Sequence, residues 1–171
     1  MENDKKKRDK MQLKFIMLEI TAALAFIIFI MVIREKPVRP DAKISEFAEA
    51  FSEIIEDNGG WSKAGVQELR KYYGISGEEI SDFLIYLPAS NMDASELLLV
   101  IMKDEEQADS IKKAMEKRLE GQKNVFESYG VDQMKLLNGA VLCIKGRYGL
   151  FISSERAKDV EKIFKSVIER K

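Results

Sequence analysis

Glu96-Leu97-Leu98-Leu99-Val100-Ile101-Met102 is the stretch whose reading decides the fold. Seven residues suit a strand better than a helix. The near-continuous apolar run has no polar alternation, which predicts a strand buried on both faces. After it, residues 104–126 carry Ala108, Ile111, Met115, Leu119, Gln122 and Phe126 at helical spacing, so a long helix follows. Before it, Asp82 to Leu87 reads as a second strand, ended by Pro88-Ala89-Ser90-Asn91. The pattern is ββα. It recurs near the C-terminus, with strands at Ala140 to Lys145 and Tyr148 to Ser153 and a helix over 154–169 carrying Ala157, Val160, Ile163, Phe164 and Val167. Between those two strands, Gly146 stands at the first turn position of a two-residue loop, as a type II′ hairpin requires. A short helical turn is expected over 131–137.

Upstream, Ile44, Phe47, Ala48, Phe51, Ile54 and Ile55 share one face of a helix over 43–56, which Asn58-Gly59-Gly60 stops. Residues 62–73 read as a shorter helix using Val66, Leu69 and Tyr72, with Trp61 as a core anchor beside it and Gly74 as its stop. The element order is α-α-β-β-α-β-β-α. The expected fold is α+β: an antiparallel sheet of about four strands (two ββα units) with helices on one face, preceded by one N-terminal transmembrane helix.

That last element rests on composition. Ile20 to Ile33 has only Thr21 as a polar residue, and extension back to Phe15 adds Glu19. Nineteen residues of helix span about 28 Å, close to the hydrocarbon thickness of a bilayer. Twelve of the nineteen are Phe, Ile, Leu or Val, together contributing roughly −4 to −7 kcal/mol toward insertion against at most about 3 kcal/mol for Glu19. No small-residue cleavage pattern follows the run, which argues against a cleaved signal peptide. Lys5, Lys6, Lys7, Arg8, Lys10 and Lys14 precede the run, and Arg34, Lys36, Arg39 and Lys43 follow it. The bias favours a cytoplasmic N-terminus. The expected organisation is a basic tail over 1–14, a span over 15–33, a linker over 34–41 holding Pro37 and Pro40, and an extracytoplasmic domain over 42–171.

Charge and composition exclude several functions. The whole chain has net charge −1, but residues 1–40 hold nine Lys/Arg against five acids, leaving the remainder at −5. A mildly acidic domain is a poor partner for nucleic acid. The chain has no histidine, which removes Ser-His-Asp and Cys-His nucleophile systems and histidine metal sites. Its one cysteine, Cys143, excludes an internal disulfide and reads as a small buried hydrophobe.

Four segments carry a resemblance: Glu78 to Ala89; Glu96 to Met102 with Ala108 to Leu119; Arg118-Leu119-Glu120-Gly121-Gln122 with Phe126 and Tyr129; and Gly139 to Ile152 with Lys145-Gly146-Arg147-Tyr148. In this order they resemble the family of uncharacterised Firmicutes extracytoplasmic proteins catalogued as domain of unknown function 4358, over roughly residues 43–170. The resemblance implies a membrane-associated, extracytoplasmic location. It implies no reaction and supplies no catalytic residues. Family members are often lipoproteins, but no cysteine follows the apolar run here, so lipid anchoring does not carry over.

Arg118, Gln122 and Tyr129 are the candidate ligand-binding residues. Arg118 and Gln122 lie four apart on one helix face, and an Arg beside an amide can hold a carboxylate or a sugar hydroxyl. The plainer account is a helix end bonded to its own loop. Glu78, Glu79 and Asp82 form an acidic group without EF-hand spacing, and acids there also suit a helix start. Asp104-Glu105-Glu106 with Lys112, Lys113 and Lys117 is dipole-matched surface charge. No catalytic residue, metal site or cofactor is expected. The expected function is that of a non-enzymatic, membrane-anchored extracytoplasmic interaction or ligand-binding module, with the lipid bilayer and a cell-envelope protein as partners. The alternative is an accessory subunit of a membrane or cell-envelope complex, with Glu19 as the contact. A cell-wall hydrolase using two carboxylates ranks below both.

Overall fold

The computed structural model describes residues 14–27, 37–128 and 130–169. The chain divides into two compact units, Met1–Pro37 and Val38–Lys171. In the first, residues 14–27 are helical (α1). Phe15, Leu18, Leu24 and Phe26 are exposed, and the Thr21 hydroxyl donates to the Leu18 carbonyl at 2.8 Å, which satisfies it within the helix. Among the described residues no helix is long and apolar enough to cross a membrane. Residues 1–13 of the expected tail, 28–33 of the expected span and 34–36 of the expected linker lie outside the described residues.

The second unit runs through α2 (Ile44–Ala50), α3 (Ser52–Asp57), β1 (Trp61–Lys63), α4 (Val66–Tyr73), β2 (Ile80–Pro88) and β3 (Glu96–Met102). It continues through α5 (Ala108–Phe126), α6 (Val131–Asn138), β4 (Val141–Lys145), β5 (Tyr148–Ser153) and α7 (Ala157–Ile168). The sheet has five strands in the order β1-β2-β3-β5-β4, and every neighbouring pair is antiparallel.

Two expectations need correction. The sheet has five strands rather than about four, because Trp61–Lys63 is a strand and not part of the following helix. Three residues carry no periodicity of their own. They become a strand by pairing with β2, Trp61 against Pro88 and Lys63 against Tyr86, and α4 starts only at Val66. Nor do the helices lie on one face. β3 is buried along its whole length. Leu97, Leu99 and Ile101 pack with Phe47, Phe51 and Ile54 of the first helices and with Val160, Phe164 and Val167 of α7. Leu98, Val100 and Met102 pack on the opposite side with Leu69 and Tyr73 of α4 and Ile111 and Met115 of α5. A strand apolar on both faces needs cover on both, so the ββα units send α5 and α7 to opposite sides of the sheet.

Compact packing begins at Val38, which is partly buried against the α2–α7 side of the core. The buried Tyr148 hydroxyl accepts from the Ala42 N–H at 3.0 Å and donates to the Arg39 carbonyl at 2.9 Å. The Arg39 N–H donates to the Ile168 carbonyl at 2.9 Å. The β4–β5 turn has the expected sign pattern: Gly146 has φ +53° and, among the described residues, no non-glycine has positive φ, which separates II′ from I′. Arg147 then reaches the Met102 carbonyl through Nε at 2.9 Å and Ser81 Oγ through Nη2 at 3.1 Å. Those contacts brace the irregularity in β2 between Ile80 and Asp82.

Candidate functional site

The buried stripe of α5 runs Ile111, Met115, Gln122, Phe126, and Arg118 falls on the same stripe by spacing. A polar residue on a core-facing stripe must find a partner. Arg118 finds it in Glu96, the first residue of β3. Nε lies 2.9 and 3.2 Å from the two Glu96 carboxylate oxygens, and Nη2 lies 2.6 Å from Oε2. Glu96 is fully buried, because it opens the row Glu96, Leu98, Val100, Met102 that faces α4 and α5. The Tyr73 hydroxyl also donates to Glu96 Oε1 at 2.8 Å. Burial first, and then the Glu96 charge, push the Tyr73 hydroxyl well above its ordinary pKa. For Arg118, burial pulls the pKa down, but the hydrogen bonds and charge of Glu96 outweigh it and the net shift is upward. The guanidinium therefore stays charged, lying 4.6 Å from the centroid of the Tyr72 ring.

Beside this pair is a cavity of about 170 Å³ lined by Tyr72, Leu87, Asp93, Arg118, Gly121, Gln122 and Phe126, among others. Its far wall is the β2–β3 loop, which side chains hold in shape. Asp93 accepts from the Ser95 N–H at 2.8 Å and the Ser95 hydroxyl at 2.9 Å. The Trp61 indole donates to Ser95 Oγ at 2.8 Å, and the Ala94 N–H donates to Gln133 Oε1 at 2.7 Å. Gln122 is 6% exposed, and its Oε1 has no hydrogen-bond partner among the described residues. An unpaired buried amide oxygen costs about 1–3 kcal/mol. One turn of helix carries both this oxygen and Gly121. A Cβ on Gly121 would meet nothing within 4 Å, so packing within the domain does not demand glycine there. Mid-helix glycine costs about 0.5–1 kcal/mol relative to alanine.

On the other side of Arg118 a second depression, about 280 Å³, lies between α4 and α5 and shares Tyr72, Arg118 and Gly121 with the first. Its other charged residues are Arg70, Lys71 and Lys117. A larger depression of about 930 Å³ lies between α6 and the start of α7, but exposed charges line it, and Asp159 and Lys162 pair with each other at 3.3 Å.

The structure thus brings Arg118 and Gln122 into one cavity, while Tyr129 lies outside the described residues. Sequence reasoning missed Glu96, Tyr72, Asp93 and Gly121. Glu96 was detectable as a lone acid on an otherwise apolar strand face. Glu78 and Glu79 do not build a site with Asp82: their backbone carbonyls accept from Lys103 and Gln107, and Asp82 Oδ1 takes the Phe83 N–H at 2.8 Å. Among the described residues no group of three or more His, Cys, Asp or Glu is placed to hold a metal ion. Cys143 is half-buried, and burial pushes its thiol pKa up.

The model of the family described as Domain of unknown function (DUF4358) matches residues 55–154. The match takes in β1 through β5 and the cavity-lining Arg118 and Gln122. No curated protein and no solved structure matches the chain.

Proposed function

We propose, starting from the fact that this chain belongs to the DUF4358 family, that it is a binding module held at the outer face of a cell membrane, and that it takes up its ligand or partner at the Arg118–Gln122 cavity. One observation carries the binding half of the proposal: a cavity of about 170 Å³ gathers the charged Arg118 with the polar Ser90, Asn91, Asp93 and Gln122 around one concave space. A concave space with a few convergent polar groups is the kind of place where a protein takes up a ligand. The membrane half rests on the apolar run 15–33 and on α1, whose large apolar side chains are exposed. Catalysis is not part of the proposal. The chain has no histidine, and Asp93, the one carboxylate on the cavity wall, is engaged by Ser95.

A photo-reactive residue in place of the exposed Val125 at the cavity rim, in the full-length protein in cells, tests this. Adducts are expected from position 125 and not from Lys162 on α7, which is the more exposed of the two, and external protease is expected to reach the domain. Identical adducts from both positions would remove the cavity from the proposal, and a protease-protected domain would reverse the topology.

A second reading, an accessory subunit of an envelope complex, is motivated by Glu19 within the apolar run, since an acid in a membrane helix commonly has a partner. It predicts that Glu19→Leu shrinks the native complex seen by size separation in mild detergent. An unchanged complex size and location would leave that reading without support.

A further inference from the structure

We propose that the groove over Tyr72, Arg118 and Gly121 binds a small hydroxylated anion, of the class of sugar acids and sugar phosphates. Its acidic group would sit toward Arg70, Lys71 and Lys117, and its hydroxyls toward Ser90, Asn91 and Asp93. The inference rests on the binding-module reading and names the chemistry of its ligand. Three observations converge on it.

The first is charge. The depression between α4 and α5 is lined by Arg70, Lys71, Lys117 and Arg118 and by no acidic residue, in a domain whose net charge is −5 beyond residue 40. Arg118 is committed to Glu96. Arg70, Lys71 and Lys117 form no salt bridge among the described residues. Lys71 lies 4.8 Å from the centroid of the Tyr72 ring and feels the Glu68 charge one turn back. Arg70 and Lys71 also suit the C-terminal dipole of α4, but that does not account for Lys117, which comes from the facing helix. Arg70, Lys71 and Lys117, gathered from two helices, have no carboxylate in the groove to pair with, and an anion there supplies the missing charge.

The second is polarity at the other end. Ser90, Asn91, Asp93 and Gln122 line that end, and a polar wall suits a hydroxylated ligand better than an apolar one. The cavity on that side, about 170 Å³, is close to the roughly 150 Å³ of an engineered cavity that admits a benzene-sized molecule. A six-membered ring therefore fits its volume.

The third is the floor between the two ends. The depressions meet at Gly121, where a side chain would enter open space. Glycine weakens α5 there with no compensating contact inside the domain. The space it leaves free is the passage from the cationic end to the Gln122 end.

The test uses the full-length protein in detergent micelles, with amide NMR as the readout and four probes: glucose 6-phosphate, gluconate, glucose and inorganic phosphate. Glucose 6-phosphate or gluconate is expected to shift the Gly121 amide and the Gln122 side-chain amide saturably. Which of the two binds tighter tells phosphate from carboxylate. Glucose and inorganic phosphate, each holding half of the chemistry, are expected to bind at least about tenfold more weakly, about 1.4 kcal/mol. Gly121→Ala is expected to raise Tm by about 2–5 °C through helix propensity while weakening binding at least about tenfold. Lys117→Glu, at an exposed position, is expected to weaken binding with Tm unchanged. Saturable binding that survives Gly121→Ala, equal binding of glucose, or no saturable shift with either anion would each overturn the inference. If the anions fail while position 125 still cross-links a partner, the binding-module reading stands and only the ligand class falls.

Discussion

Arg118→Ala is expected to destabilise the domain by about 3–5 kcal/mol, the cost of breaking a buried ion pair by removing one partner. Glu96 is fully buried and receives three of its four contacts from the Arg118 guanidinium, the fourth coming from the Tyr73 hydroxyl. Without the cation, a carboxylate stays under β3 and α5 with one hydrogen bond. Against a typical domain stability of about 5–15 kcal/mol this is a large share. Denaturant unfolding of the full-length protein in micelles, followed by the fluorescence of Trp61, the chain's one tryptophan, measures it. The double variant Glu96→Leu with Arg118→Leu should recover most of the loss, because no charge is then left buried. A loss below about 1 kcal/mol in Arg118→Ala would mean that water reaches Glu96 and that the pair behaves as a surface salt bridge.

Phe47→Ala is expected to cost a similar amount, about 3–5 kcal/mol, on the other side of the sheet. Phe47 is fully buried. Its ring lies 5.8 Å from those of Tyr148 and Phe164 and 6.2 Å from that of Phe51, so truncation opens a cavity that α2, β5 and α7 all line. Close-packed cores collapse only partly around such a void. Phe47→Leu keeps most of the volume and should cost less than about 1.5 kcal/mol. The same unfolding experiment separates the two. A mild Phe47→Ala would imply that α2 and α7 are a loose cover, not a second core layer.

Both variants probe features that differ in how far they could be read in advance. Phe47 was assigned to an apolar helix face by spacing alone, and it lies there. The partner of Arg118 was not readable, because Glu96 is 22 residues away and nothing in either segment names the other. What could be read was the anomaly: Arg118 and Gln122 interrupt a stripe whose other positions are apolar. The same residues that looked like a helix end bonded to its own loop turn out to be set into the domain, Arg118 on a strand and Gln122 on a cavity.

Local pattern determined the elements. The apolar run 96–102 had to be a strand covered twice, Gly146 had to open a two-residue turn, and the spacing of Ile111, Met115 and Phe126 had to make one face of a long helix. Each follows from interactions within a few residues, where period and backbone geometry act. Family membership, too, lies in the order of these segments. Only the tertiary structure decided which side of the sheet each helix takes, that Trp61–Lys63 completes a fifth strand, and that Glu96, Arg118, Tyr72 and Gln122 meet around one groove. Those outcomes depend on which surfaces are left to bury once β3 is in place. A strand apolar on both faces demands two covers, and the choice between α5 and α7 for each is made by packing across the whole domain, not by any stretch of sequence alone.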